Sequence, residues 1–254
     1  MKKIAIFALI LTLFFASKAF AAGNIFLKVQ SVIPHTKIKT VETSPVPGLY
    51  TAVLYNNQII YVAPKEGIIL FGSMYTKTGK DLTYLQMTSL QEKQSQKLLK
   101  TIDFKKAIKI GNGPVKVVEF LDPDCPFCRL SMKLFAKPKL AKKMTRYIFL
   151  IPQPSIHPHS FAMTEFILSH KNKEKWLNKV MAGSLSKVRY NKVKTSKKAL
   201  SLINYDMNIA KRFGIYGVPY FVIGRSVVLG LNIQMIYKDL GLKKSINVNK
   251  IQGN

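Results

Sequence analysis

Cysteine is nearly absent: the 254 residues hold two, Cys125 and Cys128. A second disulfide is thereby excluded, and a zinc centre would have to draw its other ligands from His35, His157, His159 or His170. His157-Pro158-His159 is the one suggestive pair among these, and its proline fixes a loop. No metal is expected. Acidic side chains are scarce as well, 12 against 40 lysines and arginines, for a formal charge of +28. Such a balance favours acidic partners, anionic lipid surfaces or nucleic acid. The lysines, however, are scattered through every segment, and the densest runs, Lys97 to Lys109, Lys137 to Arg146 and Lys187 to Lys198, are broken by apolar residues at helix-like spacing. A generally basic, solvated surface follows, and no nucleic-acid partner is expected. Long apolar runs are missing beyond the first residues, so the chain after them is expected to be soluble. There is no internal repeat or low-complexity tract.

What is present begins with Met1-Lys2-Lys3, an apolar run from Ile4 to Phe15, and Ala19-Phe20-Ala21. This is the charged start, apolar core and small-residue site of a secretory signal, with cleavage after Ala21. The run is shorter than the roughly 20 residues a bilayer-spanning helix needs, and Lys18 interrupts its far end. Residues 1–21 are therefore read as a signal peptide rather than an anchor, and the destination as a compartment that permits disulfides. The remaining chain suits one large domain or two ordinary ones.

The pattern favours two. Leu49 to Tyr55 is rich in strand formers, Asn56-Asn57 is a turn signal, and Gln58 to Val62 answers it. After a second turn at Pro64 to Gly67, Ile68 to Phe71 makes a third strand of a small antiparallel meander. From Leu82 to about Ala107, Leu85, Leu90, Leu98, Leu99 and Ile102 stand among polar residues without Pro or Gly, as in an exposed, partly amphipathic helix connecting two domains. Gly111 to Pro114 punctuates the chain. Val115 to Leu121 then reads as a buried strand, the segment after Cys125 as a helix ended by Pro138, and Tyr147 to Ile151 as a strand. A mostly helical stretch runs from about Ser160 to Phe213, Tyr220 to Ile223 and Ser226 to Leu229 are strands, and Asn232 to Leu240 is a closing helix. The expected fold class is α+β: an N-terminal β domain (22–87), a linker helix (88–110) and a thioredoxin-like domain with a helical insertion (111–254).

Cys125 and Cys128 fall at the junction of a buried strand and a helix. Residues at i and i+3 share a helix face, with Cβ atoms about 5–6 Å apart, near what a disulfide requires, so the pair can open and close without moving the fold. A structural bridge over so short a loop would constrain the unfolded chain little. The helix N-terminus favours negative charge and stabilises a thiolate. Cys125 is accordingly the expected nucleophile and Cys128 the resolving thiol. The dithiol is itself the redox carrier, with no bound cofactor.

Two further features bear on the site. In Gly217-Val218-Pro219-Tyr220, proline begins a strand; a cis Val218–Pro219 bond would leave the Val218 main chain free to pair with an extended substrate, and a trans proline in a turn is the ordinary alternative. Glu119, six residues before Cys125 in the apolar strand, points beneath the redox turn, where a buried carboxylate could relay the Cys128 proton; a strand-end glutamate facing solvent is the alternative. Pro126, Phe127, Val218 and Pro219 are the expected substrate-binding residues.

The run Phe120 to Cys128 resembles the active-site segment of the periplasmic DsbC/DsbG disulfide isomerases of the thioredoxin superfamily, Gly217-Val218-Pro219 resembles their cis-proline loop, and Ser44 to Tyr50 resembles their N-terminal dimerisation domain. The resemblance implies a periplasmic V-shaped homodimer that isomerises or reduces non-native disulfides in misfolded secreted proteins and is itself reduced by a DsbD-type membrane donor. Pro126-Phe127 is closer to the DsbG-like dipeptide than to the Gly-Tyr common in DsbC, and Val218 stands where threonine is usual in DsbC and valine in the oxidase DsbA. The architecture points to an isomerase, and the site leaves a DsbA-like oxidase open. A thiol-independent chaperone is the alternative from another class.

Overall fold

Two kinds of sheet follow from two kinds of apolar pattern. The computed structural model describes residues 24–55, 57–185 and 196–242, so residues 1–21, read from the sequence as a signal peptide, lie outside the described residues. The chain divides into two compact units, Met1–Met87 and Thr88–Asn254.

The first unit holds helix α1 (residues 24–32) and strands β1 (Ile38–Thr43), β2 (Tyr50–Leu54), β3 (Ile59–Ala63) and β4 (Ile68–Leu70), in a fully antiparallel sheet of order β1-β2-β3-β4. The β2–β3 turn places Asn57 at φ +63, a left-handed conformation that asparagine tolerates, and its N–H donates to the Leu54 carbonyl at 2.9 Å. Val29, Ile33, Ile38, Ala52, Ile60 and Val62 form the core. The meander expected from Leu49 to Phe71 is present. Strand β1 was not legible because it is polar and only Ile38 in it is buried.

Helix α2 (Leu82–Leu99) is shorter than its periodicity predicts. Asp103 caps a 3₁₀ turn, Phe104–Lys106, accepting the Lys105 N–H at 3.1 Å, and Ile108–Ile110 becomes strand β5. Residues 88–110 are thus not one linker helix. Nor is the later part of α2 an exposed connector: Thr88, Gln91 and Ser95 are buried. Glu92 Oε1 accepts the Val227 N–H at 3.2 Å, and Ser95 Oγ meets the Tyr220 hydroxyl at 3.1 Å. The buried stripe is polar, so apolar periodicity could not reveal it.

The second unit is a five-stranded mixed sheet of order β5-β7-β6-β8-β9, with β6 (Val115–Leu121), β7 (Met144–Leu150), β8 (Tyr220–Ile223) and β9 (Ser226–Leu229). Strands β6 and β7 run parallel; the other pairs are antiparallel. Around it lie α3 (Pro126–Phe135), α4 (Pro138–Ala141), α5 (Ser160–Ser169), α6 (Lys173–Met181), α7 (Lys197–Phe213) and α8 (Ile233–Asp239). Val117 and Leu121 face one core with Cys128, Met132 and Phe135, while Val118 and Phe120 face another with Ile209, Phe213 and Tyr220. Burial on both faces is the reason these strands read as continuous apolar runs. Gly113 is a close crossing rather than a domain boundary, since a Cβ there would lie 2.2 Å from the Met144 nitrogen.

Strand β5 pairs with β7 only as far as Ile148. Beyond it the Leu150 N–H donates to Asp206 Oδ2 of α7 at 2.8 Å, while Asp206 Oδ1 is buried without a partner among the described residues. Burial pushes the Asp206 carboxyl well above its ordinary value. The folded chain therefore holds a proton that the unfolded chain releases from about pH 4 upward, and stability falls as pH rises toward the folded pKa, by at most about 1.4 kcal/mol per pH unit. Asp206→Asn is expected to match the parent in urea denaturation near pH 3 and to become progressively the more stable as pH rises; a constant difference across that range would refute the assignment.

Candidate active site

The site lies where β6 ends. Asp122 stops the strand, and Cys125, at φ −70 and ψ 126, is the N-cap of α3 with Pro126 in its first turn. Proline is favoured there because its missing N–H would have had no helical partner. The arrangement turns the first amides of α3 toward the Cys125 sulfur.

The two cysteines are free thiols in different surroundings. Cys125 is 4% exposed and Cys128 fully buried. The Cys125 thiol is pushed down to about 6, first by a hydrogen bond from the Cys128 thiol, with burial opposing, and then by the backbone N–H groups of Cys128 and Phe127 and the charge of His157. At neutral pH it is mostly thiolate. The Cys128 thiol is pushed well above its ordinary value, chiefly by burial and then by the Cys125 sulfur, although the Asp122 N–H approaches its sulfur at 3.4 Å. One sulfur is set to attack and its neighbour to hold its proton until called upon.

The Val218–Pro219 peptide is cis, and the Cys125 thiol lies 3.8 Å from the Val218 carbonyl oxygen. The fold thus brings together residues 93 positions apart. Pro126 and Phe127 are exposed, Val218 is half-buried and Pro219 is buried. Pro219 accordingly shapes the loop from beneath, and its carbonyl accepts the Gly230 N–H at 2.9 Å.

Glu119 is fully buried on the face that carries Val117 and Leu121, but it does not stand alone. Arg146 on β7 donates Nε to Oε1 at 2.5 Å and Nη2 to Oε2 at 2.7 Å. The same guanidinium meets Met132 Sδ at 2.9 Å and lies 4.9 Å from the Phe135 ring centre. The buried carboxylate expected beneath the redox turn is present, and it is half of a bidentate ion pair, both of its oxygens engaged by Arg146.

Sequence reasoning passed over Asp122 and weighed His157 only as a metal ligand. Asp122 is fully buried, and His157 Nδ1 meets its Oδ2 at 2.9 Å. Among the described residues no group of three or more His, Cys, Asp or Glu side chains is placed to hold a metal ion. A usable signal existed: β6 and β7 are parallel neighbours, so the loops following them emerge at the same sheet end, where α/β proteins gather functional groups. Ile156 in the loop after β7, Phe161 in α5 and Tyr216 between α7 and β8 are exposed apolar residues that also went unremarked.

Comparison with known proteins follows this geometry. Residues 16–84 match the disulfide bond isomerase protein N-terminal domain, and residues 102–230 match the thioredoxin-like domain. Among solved structures, the chain is similar to a linker-deletion mutant of ScsC from Proteus mirabilis (17% identity, 60% of this chain and 82% of that one, TM-score 0.45). It is similar also to the thiol-disulfide exchange protein alpha-DsbA2 from Wolbachia pipientis (18%, 60% and 95%, 0.47) and a disulfide interchange protein from Neisseria gonorrhoeae (22%, 56% and 100%, 0.41). No curated protein matches. With its second domain matched over just that sheet and that dithiol, the chain belongs to the thioredoxin-like family, and ahead of that domain it carries the N-terminal domain of the disulfide bond isomerase proteins.

Proposed function

We propose that this chain is a periplasmic thiol–disulfide interchange protein that isomerises or reduces non-native disulfides in secreted proteins. The observation that carries the reading is the asymmetry of the dithiol, a low-pKa Cys125 beside a buried, high-pKa Cys128, in a chain that also has the isomerase-type N-terminal domain.

The Cys125 thiolate attacks one sulfur of a substrate disulfide. A Cys125–substrate bond forms as the substrate's own S–S bond breaks, and the departing thiolate takes up a proton. When a substrate thiolate attacks that mixed disulfide, Cys125 leaves as thiolate and the pairing has been shuffled without net electron transfer. When Cys128 instead gives up its proton and attacks Cys125 Sγ, the substrate leaves as a dithiol, reduced by two electrons, and the Cys125–Cys128 disulfide awaits a membrane dithiol donor of the DsbD type. The dithiol is the carrier, and the scheme uses no bound cofactor or metal.

Phe127, Ile156 and Tyr216 are 59%, 66% and 63% exposed, which supports an unfolded, apolar substrate segment lying across the dithiol. Pro126 and Val218 border the same place. In the first unit Ile68, Leu70 and Phe71 are exposed on and after the edge strand β4; an apolar unpaired edge supports homodimer formation through that unit.

A second reading, a DsbA-like oxidase, has one observation in its favour: stabilising the Cys125 thiolate stabilises the reduced form and makes the disulfide a stronger oxidant. Alkylating the cysteines in living cells separates the two, combined with refolding of a scrambled multi-disulfide substrate. The isomerase reading expects a reduced pair, rescue that is lost in Cys125→Ala, and a dimer by sedimentation. A disulfide in cells, no rescue and a strict monomer would establish the oxidase instead, and full activity in Cys125→Ala would establish a thiol-independent chaperone.

A further inference from the structure

Asp122 is the hub of the redox turn. Its backbone carbonyl accepts the Cys125 N–H at 3.2 Å, and its own N–H points at Cys128 Sγ. Its buried carboxylate accepts three N–H groups: Asp124 on Oδ1 at 2.8 Å, and Gln153 and His157 Nδ1 on Oδ2, both at 2.9 Å. A carboxylate so placed accepts only, so the Nδ1 of His157 carries the proton of this hydrogen bond. The loop after β7 is thereby pinned to the end of β6 through both its backbone and its histidine.

We propose that Asp122 and His157 are a positioning pair for the dithiol: the Asp122 carboxylate, held by Asp124, Gln153 and His157, fixes the main chain whose N–H meets Cys128 Sγ and whose carbonyl accepts the Cys125 N–H. The inference rests on the thiol-exchange reading of the site and adds to it the groups that make the two thiols unlike.

The other charges nearby are spent elsewhere. Arg129 on α3 donates Nε to the Pro123 carbonyl at 2.9 Å and pairs with Asp124 at 3.2 Å, and Asp124 Oδ2 accepts the His159 N–H at 3.3 Å. From the β8 side the dithiol meets the Val218 carbonyl, an uncharged group. The Asp122 charge raises Cys128, after burial and the Cys125 sulfur, while the His157 charge lowers Cys125, after the hydrogen bonds already described. The two ends of the pair thus act on different sulfurs with opposite sign.

The test uses the purified full-length chain without its signal segment and reads thiolate absorbance and iodoacetamide rate against pH, with Cys128 followed alone in a Cys125→Ser background. His157→Asn keeps a donor for Asp122 and removes the charge. It is expected to raise the Cys125 midpoint, slowing alkylation below pH 6 about threefold or more, with Cys128 unchanged. The disulfide becomes less oxidising against glutathione by the same threefold, about 15 mV for a two-electron couple. Asp122→Asn discriminates further. A carboxylate acting on Cys125 by direct repulsion would, when removed, lower the Cys125 midpoint; removal of a carboxylate that acts by holding His157 in place raises that midpoint while lowering Cys128. An unshifted Cys125 in His157→Asn, or a lowered one in Asp122→Asn, overturns the proposal. The exchange reading fails separately, if the parent chain exchanges no disulfides at all. His157 lies in a loop and is partly exposed, so its variant remains informative should Asp122→Asn fail to fold.

Discussion

Cys125→Ala is expected to abolish thiol–disulfide exchange, a loss of at least about a thousandfold, because the chain has no other nucleophilic sulfur outside the buried Cys128. Cys128 variants should behave differently: they still attack, but cannot resolve, and they accumulate mixed disulfides visible as reductant-sensitive covalent complexes on gels. The replacement matters. The largest influence lowering the Cys125 thiol is the hydrogen bond donated by Cys128. Cys128→Ser retains a donor, so trapping is expected from about pH 6 upward, where the Cys125 thiolate forms. Cys128→Ala removes the donor, and its trapping should begin at higher pH. Identical onset in the two variants would mean that the helix amides and His157, not the neighbouring thiol, dominate.

The largest expected effect on stability comes from the Glu119–Arg146 pair. Glu119 is fully buried and Arg146 nearly so. Arg146→Met leaves a carboxylate without its partner beneath α3, and removal of one member of a buried pair costs about 3–5 kcal/mol, roughly 10 °C in Tm for a domain of this size. The paired change Glu119→Leu with Arg146→Met removes both desolvation penalties and is expected to recover most of that loss, as apolar replacement of buried pairs often does. The double variant also decides the role of Glu119. An ion pair that only supports α3 can be replaced with exchange activity retained, whereas a proton relay to Cys128 cannot; slow release of mixed disulfides in a well-folded double variant would return Glu119 to the catalytic machinery.

These outcomes depend on how far a linear chain can advertise a three-dimensional site. The strand–turn–helix around Cys125 and Cys128 was legible because every signal in it is local: a β-branched run, Asp122-Pro123 as a stop, proline in the first turn of a helix, and two cysteines one turn apart. The same holds for β8 and β9, short apolar runs flanking Gly224-Arg225. Strand β1 and the inner face of α2 were not legible. Their contributions are polar: Thr88, Gln91 and Ser95 are buried, and Ser95 meets the hydroxyl of Tyr220, 125 positions away.

The charges at the site divide along the same line. By itself the sequence determined that a dithiol sits at a helix N-terminus after a buried strand, and that the chain is an α+β protein with a β domain ahead of it, since periodicity, turn chemistry and i, i+3 spacing are properties of neighbouring residues. Which carboxylate meets which cation was decided only by tertiary structure. The parallel pairing of β6 with β7 sets Glu119 opposite Ile148, near Arg146, and brings the two loops together so that Asp122 meets His157. Electrostatic partners depend on distance through space, and distances between residues 27 or 35 positions apart exist only once the sheet has closed.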